Sequence, residues 1–301
     1  MKLRHIGYAC INLGINETTN HTFRLANLSE EQAAITIAKN IDSLKKILAW
    51  NVSQGIKLFR VGSSMIPFAS HTSFTLDWQR IFRAELNEIR TFVQDNGLRL
   101  SMHPGQYTVL NSFNSKVVSD SVRELEWQAE LISILDPQQG LLVLHLGGAY
   151  GNKEESVRRF EENFYKYASP LVQQRLTLEN DDTTYSVDDV LPVCQRLNIP
   201  MIFDLFHHKC LHTAPNWQDG LEEKLEQIVA TWKGKVPKMH LSSQKPNTRT
   251  SHADYIEQND FDEMQDWMEK IRPEGEYDLM IEAKLKEKAV QALQFRAVHN
   301  G

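Results

Sequence analysis

Two histidines in this 301-residue chain end apolar segments in the same way. Leu98 to Tyr107 reads Leu-Arg-Leu-Ser-Met-His-Pro-Gly-Gln-Tyr, and Leu141 to Gly148 reads Leu-Leu-Val-Leu-His-Leu-Gly-Gly. Each places an imidazole, His103 or His145, where a strand gives way to a turn, at the mouth of whatever the strand builds. Later strand-like segments carry polar groups at the same end: Glu179, Asp204 with His207, His240 and Glu282. His252 follows in the loop after the seventh segment, and His71 in the loop after the second. Imidazoles mixed with carboxylates are the donor set of borderline divalent metals such as Zn²⁺ and Mn²⁺. Taken singly, each residue has a structural reading: a hydrogen-bonded core histidine, a salt-bridging Glu179, an Asp204 that caps the next helix. Their recurrence at one end of successive strands favours a metal site. Zinc takes about four ligands, so this many candidates suggest two or three ions with Glu179 as the natural bridge. Such clusters suit phosphoryl chemistry, where ions clamp the phosphate, activate water and stabilise the leaving oxygen.

The elements that must position these groups are legible as an alternation. Strand-like runs at 5–10, 58–62, 98–102, 141–146, 176–180, from 200, 237–243 and 277–284 alternate with stretches carrying apolar residues at helical spacing, the second of them from Trp78 to Val93 and a later one over 217–232. Eight strands and eight helices without a linker or composition shift predict one α/β domain over 1–301. The expected fold is a single (β/α)₈ TIM barrel with its metal cluster at the C-terminal face. The three cysteines, Cys10, Cys194 and Cys210, form no C-x-x-C, which fits free thiols in a reducing compartment. Without a signal-like or membrane-spanning run, a cytoplasmic protein is expected. The formal net charge of −6 argues at first against nucleic acid. Ligand carboxylates inflate that sum, however, and the cations that would neutralise them are absent from it.

The motifs resemble those of the UV damage endonucleases. The segments that carry the likeness run almost end to end: Gly7-Tyr8 with Asn12, Phe59-Arg60, Ile66 through His71, Ser101 through Tyr107, Leu144 through Gly151, Leu178 through Asp181, Asp204-x-x-His207-His208, Lys238-x-His240-Leu-Ser-Ser-Gln, and Ile281 through Lys284. The strings S-M-H-P-G-Q-Y and L-H-L-G-G-A-Y-G are specific. The resemblance implies a barrel shared with endonuclease IV and a nick in duplex DNA immediately 5′ to cyclobutane pyrimidine dimers and 6-4 photoproducts. Abasic sites would be secondary substrates, and the products a 3′-hydroxyl and a 5′-phosphate.

By the same resemblance His103, His145, Glu179, Asp204, His207, His240, His252 and Glu282 become ligands of two to three divalent ions, with Mn²⁺ expected and Zn²⁺ the alternative. Gln106 and Tyr107 would probe the stack opposite the lesion, since an aromatic ring can fill the gap left by extruded nucleotides. Tyr8 and Asn12 would contact the lesion or its phosphate, and His71 would sit beside the scissile phosphate. Lys238, two residues from His240 and so on the same strand face, resembles a carboxylated lysine. Arg60, Lys116, Lys153, Lys209, Lys245 and Arg249 are candidate phosphate contacts. The expected partner is damaged double-stranded DNA, with neither a membrane nor an obligate protein partner. A xylose-isomerase-like sugar isomerase is the alternative enzyme, and a damage-binding protein without catalysis the alternative outside enzymes.

Overall fold

The computed structural model describes residues 1–299. Eight parallel strands form one sheet: β1 (Lys2–Ala9), β2 (Leu58–Val61), β3 (Arg99–Met102), β4 (Leu141–Leu144), β5 (Leu176–Glu179), β6 (Met201–Ile202), β7 (Lys238–Leu241) and β8 (Glu276–Ile281). Their spatial order is β6-β5-β4-β3-β2-β1-β8-β7. The ring closes between β6 and β7 through a parallel bridge of Asp204 with His240 and a His240 N–H to Phe203 carbonyl bond of 2.9 Å. Two candidate ligands therefore sit on the closing seam. The fold is the expected TIM barrel.

The helices are α1 (Glu30–Ser53), α2 (Trp78–Ile81), α3 (Arg83–Asp95), α4 (Ser115–Leu135), α5 (Lys153–Tyr167), α6 (Pro170–Arg175), α7 (Val187–Leu197), α8 (Leu205–Cys210), α9 (Leu221–Thr231), α10 (Gln258–Ile271) and α11 (Lys286–His299). Several begin at side-chain caps that satisfy otherwise orphaned amides: Ser29 on α1, Asn114 on α4, Asn152 on α5 and the Ser186–Asp189 capping box on α7. The helix expected from Trp78 to Val93 is broken at Phe82, which ends α2 and precedes α3. The helix expected from 217 starts only at Leu221, after Gly220 in the left-handed conformation (φ 70°). A small hairpin, Ile11–Asn12 against Glu17–Thr18, follows β1 and was not expected.

Strand β6 is short because Asp204 leaves the strand to cap α8, its carboxylate accepting the His207 amide at 2.8 Å. At Gly7, a Cβ would lie 1.8 Å from the Leu58 carbonyl oxygen, so only glycine lets β1 and β2 meet there. The N-terminal end of the barrel is plugged by buried Asp278. It accepts two bonds from Arg4 (2.8 and 2.6 Å) and one from Arg99 (2.7 Å), and the Arg99 guanidinium also lies 5.4 Å from the Trp232 ring centre. Charge at this end holds strands together and leaves the opposite face for chemistry. No helix among the described residues is long and apolar enough to cross a membrane.

Candidate metal centre

Glu179 closes β5 and is buried at the focus of the C-terminal face. Its Oε1 lies 2.8 Å from His240 Nδ1 and 3.5 Å from His207 Nδ1, and its Oε2 lies 3.5 Å from His103 Nε2 and 3.7 Å from His145 Nε2. Two groups with metal-compatible spacing share this one carboxylate: His103–His145–Glu179 and Glu179–Asp204–His240, with donor atoms within 4.8 Å in each. Glu179 Oε2 and Asp204 Oδ2 are both buried without a hydrogen-bond partner. An orphaned buried carboxylate oxygen is costly, and a cation beside each would remove the cost. The donor set and these two orphans fit divalent metal.

The histidines are aimed by backbone. Nδ1 of His103 lies 3.1 Å from the Pro104 carbonyl oxygen, that of His145 3.3 Å from Glu179 O, that of His207 2.9 Å from Asn180 O and that of His252 2.8 Å from Glu282 O. With the Nδ1–H donating, each ring in its neutral form turns an unprotonated Nε2 toward a metal, the arrangement typical of ligating histidines. His252 is held on a hairpin, with a bridge to Gln244 and a Lys245 N–H to Ser251 carbonyl bond of 2.7 Å. His207 and His252 face one another at 5.9 Å between ring centres, and Glu282 Oε1 lies 3.2 Å from His240 Nδ1. These three line the same face but fall outside the two tight groups.

The field at the site is negative. Burial alone would depress the His207 pKa, but Asp204, Glu179 and Glu282 pull it up to about 9. Burial raises Asp204 to about 6, and burial lowers His240 to about 4 despite the neighbouring carboxylates. Burial also opposes ionisation of Glu179, yet His240 and His145 hold its carboxyl well below the usual range. A surplus of carboxylate charge that stabilises an imidazolium is the environment a divalent cation would meet.

Lys238 points inward from β7, fully buried, with its Nζ donating to Ser101 Oγ at 2.7 Å. Burial, then the Arg60 and Arg99 charges, holds its pKa far below the usual lysine value. Arg60 is buried too, ion-paired with Glu282 and 3.2 Å from His240 Nε2. It lies against the ligand set and not on the outer surface expected of a phosphate contact. Tyr8 and Asn12 are likewise fully buried: Asn12 Nδ2 donates to the Tyr8 hydroxyl (2.8 Å), which donates to Asn51 Oδ1 (2.7 Å). Direct contact with an extruded lesion would require this packing to open.

Gln106 and Tyr107 occupy the centre of a turn closed by the Thr108 N–H to Gly105 carbonyl bond (2.9 Å), and Tyr107 is 83% exposed. His71 stands exposed in its own turn, accepting the Ser73 amide at 3.1 Å, outside both ligand groups. Besides Arg60, three of the candidate phosphate contacts already have carboxylate partners: Lys116 with Asp120, Lys153 with Asp189, and Lys209 with Asp260 and Glu263. Two organising residues escaped the sequence reading. Asn180 ties β5 to the seam, its Nδ2 donating to Asp204 O and its Oδ1 accepting the Asp204 amide, both at 3.0 Å. Ser101 receives Lys238. Inward alternation along β3 was the available signal for Ser101; Asn180 lies in a segment that carries the likeness, but nothing there marked a bridge to Asp204.

Comparison with known proteins places this geometry. The family model described as UV-endonuclease UvdE matches residues 4–299. A relative from Clostridium perfringens named UV DNA damage endonuclease is 36% identical over 287 residues, covering 94% of this chain and 68% of its own. The solved structure titled "Crystal Structure of SacUVDE" superposes with a TM-score of 0.88 at 34% identity over 98% of this chain and 99% of that one. Endonuclease IV from Thermus thermophilus shares the fold, with a TM-score of 0.58 at 15% identity over 85% of this chain and 94% of its own. A carboxylate shared by two groups of imidazole and carboxylate donors at the mouth of a barrel, and likeness over residues 4–299, lead to one assignment: the chain belongs to the UV-endonuclease UvdE family of DNA repair endonucleases.

Proposed function

We propose that this endonuclease uses two to three divalent ions, Mn²⁺ first and Zn²⁺ as the alternative, to nick duplex DNA immediately 5′ to cyclobutane pyrimidine dimers and 6-4 photoproducts, with abasic sites as secondary substrates. The observation that carries the reading is Glu179, one buried carboxylate within reach of both ligand groups. His103, His145, Glu179, Asp204, His207, His240, His252 and Glu282 would hold the ions. Bound divalent cations supply Lewis acidity toward the phosphate oxygens and the attacking water.

The chain's own residues divide the remaining work. Backbone carbonyls orient four imidazoles before substrate arrives, so the site needs little rearrangement. In the hydrolysis, a water oxygen bonds to phosphorus, the P–O3′ bond breaks and O3′ takes up a proton, leaving a 3′-hydroxyl and a 5′-phosphate. His71, in the loop after β2, would approach the scissile phosphate as the DNA docks. Tyr107, with Gln106 beside it, would enter the stack where lesion and partners are already weakly stacked. Tyr8 and Asn12 would shape the wall behind the lesion, and Arg60 would hold Glu282 and His240 in place. Lys245 and Arg249, on the hairpin that carries His252, would meet phosphates.

Lys238 in this reading is carboxylated: its neutral Nζ bonds to the carbon of CO₂ and releases one proton, giving a carbamate anion beside Arg60. Intact mass measured under native conditions should exceed the sequence mass by one CO₂ and lose it in acid; an unmodified mass at neutral pH would contradict the assignment. The incision itself is tested with an end-labelled duplex holding one defined dimer. The expected product is a single 5′-side nick whose ends a DNA ligase can reseal once an undamaged strand is supplied. Cleavage on the 3′ side, or ends that no ligase accepts, would sink the reading.

A further inference from the structure

The loops after β3 and β4 carry more than His103 and His145. Phe113 and Tyr150 project from them, 65% and 45% exposed, with ring centres 5.4 Å apart and planes at 70°. The Arg159 guanidinium lies over the Phe113 ring at 3.7 Å and within 5.8 Å of Tyr150. An edge-to-face pair with a cation beneath it is a favourable arrangement, but leaving two large aromatic rings in water is not. Burial of apolar surface would stabilise them, so their exposure calls for an occupant.

The pair is held rigidly. Buried Asn111 donates from Nδ2 to Gly148 O at 2.7 Å, tying one loop to the other, and Arg159 Nε donates to Asn111 O at 3.1 Å. Asn163 donates to Leu110 O at 2.6 Å and the Tyr185 hydroxyl to Gly148 O at 3.2 Å. Gly147 adopts φ 90°, and a Cβ there would meet Asn111 Oδ1 at 2.7 Å, so glycine lets the two loops close on each other. Arg159 is fully engaged below: its Nη2 donates to Ser156 Oγ at 2.8 Å. The guanidinium thus acts as a floor to the rings more than as a free phosphate ligand.

We infer that Phe113 and Tyr150 form a stacking platform for the DNA strand beside the incision, taking an unstacked base or a deoxyribose face against the two rings. The occupant is argued from continuity: the same two loops begin at the ligand histidines and, in the first of them, carry the Tyr107 turn, so the pair stands on the loops that DNA engaged at the metal centre would meet. The inference rests on the incision reading, deepening it by naming a contact outside the chemistry.

Stacking and charge neutralisation separate by their salt response. Each base stacked on an aromatic side chain contributes about 1–3 kcal/mol, whereas losing a phosphate contact changes the slope of log K against log salt. Binding of a single-dimer duplex by Phe113→Ala and Tyr150→Ala is therefore measured by fluorescence anisotropy at several salt concentrations, with wild-type nicking as the separate check on the incision reading. Each variant is expected to bind about 5- to 100-fold more weakly with the wild-type salt slope, and Phe113→Trp and Tyr150→Phe to restore affinity. Thermal unfolding should stay near wild type. Undiminished affinity, as for a surface that docks a protein instead, would overturn the inference, as would weaker binding that tracks a lowered melting temperature or is not rescued by the aromatic replacements.

Discussion

Glu179 is placed where burial opposes its charge and the imidazoles of His240, His145 and His103 favour it, and the imidazoles win. His207 shows the same field from the other side, raised to about 9 by Asp204, Glu179 and Glu282. Near neutral pH its imidazolium must lose a proton before Nε2 and its neighbours can hold a cation, so metal binding should release protons. Calorimetric titration with MnCl₂ in buffers of different ionisation enthalpy is expected to show about one proton released near pH 7.5, and less after His207→Ala. Binding independent of buffer would contradict the charge assignment. Tyr107 belongs to the same scale. Being 83% exposed it contributes little to the fold, so Tyr107→Ala should leave the melting temperature unchanged. Its affinity for a dimer-containing duplex is expected to fall about 5- to 100-fold, with little change on undamaged duplex.

At the scale of elements, the two ends of the barrel divide stability from chemistry. Asp278 on β8 joins β1 and β3 through Arg4 and Arg99. Burial disfavours its charge, but the two guanidinium groups hold its pKa below the usual carboxylate value. A folded-state pKa that is depressed contributes stability above the unfolded value of about 3.9 and loses it as pH falls through the folded value. Asp278→Asn should therefore cost about 3–5 kcal/mol near pH 7, because the buried Arg99 and the half-buried Arg4 lose their shared partner. The gap between variant and wild type should narrow as pH falls below about 4, read from urea unfolding at a series of pH values. At the other end, the β6–β7 seam closes through Asp204 and His240. Cations bound there would pin the seam, and saturation at about 100 times Kd should add about 2.7 kcal/mol. A melting temperature that is the same with MnCl₂ and with a chelator would argue against binding at the seam.

Over the whole molecule, much was legible because it depends on short-range pattern. Apolar alternation broken by a polar residue marks strand ends, and it brought His103, His145, Glu179, Asp204 and His240 to notice before any contact was known. The barrel followed from alternation of elements, which survives errors of a few residues such as the late start of α9 or the break at Phe82. What escaped depends on packing between distant segments. Nothing near Tyr8 in the sequence reveals that its hydroxyl meets Asn51 on α1. A charged residue in β2 reads as a DNA contact until Glu282, 222 positions away, turns it inward. The role of Asn180 exists only once β5 and β6 are neighbours. Net charge was the least informative feature, since −6 is a sum over the whole chain in which the few carboxylates that converge at the site, Glu179, Asp204 and Glu282, are not distinguished from the rest.

The central claim is that a carboxylate shared between two ligand groups makes incision depend on bound divalent cations. Its most direct test is a denaturing gel of a duplex with one defined cyclobutane dimer, comparing wild type and Glu179→Gln with MnCl₂ and after chelation. Wild type with manganese should nick once, immediately 5′ to the dimer. Chelation, or the single substitution, should lower the rate by about three orders of magnitude or more, a loss of roughly 4 kcal/mol in transition-state stabilisation. Incision that survives chelation, or proceeds equally well in Glu179→Gln, would contradict the account.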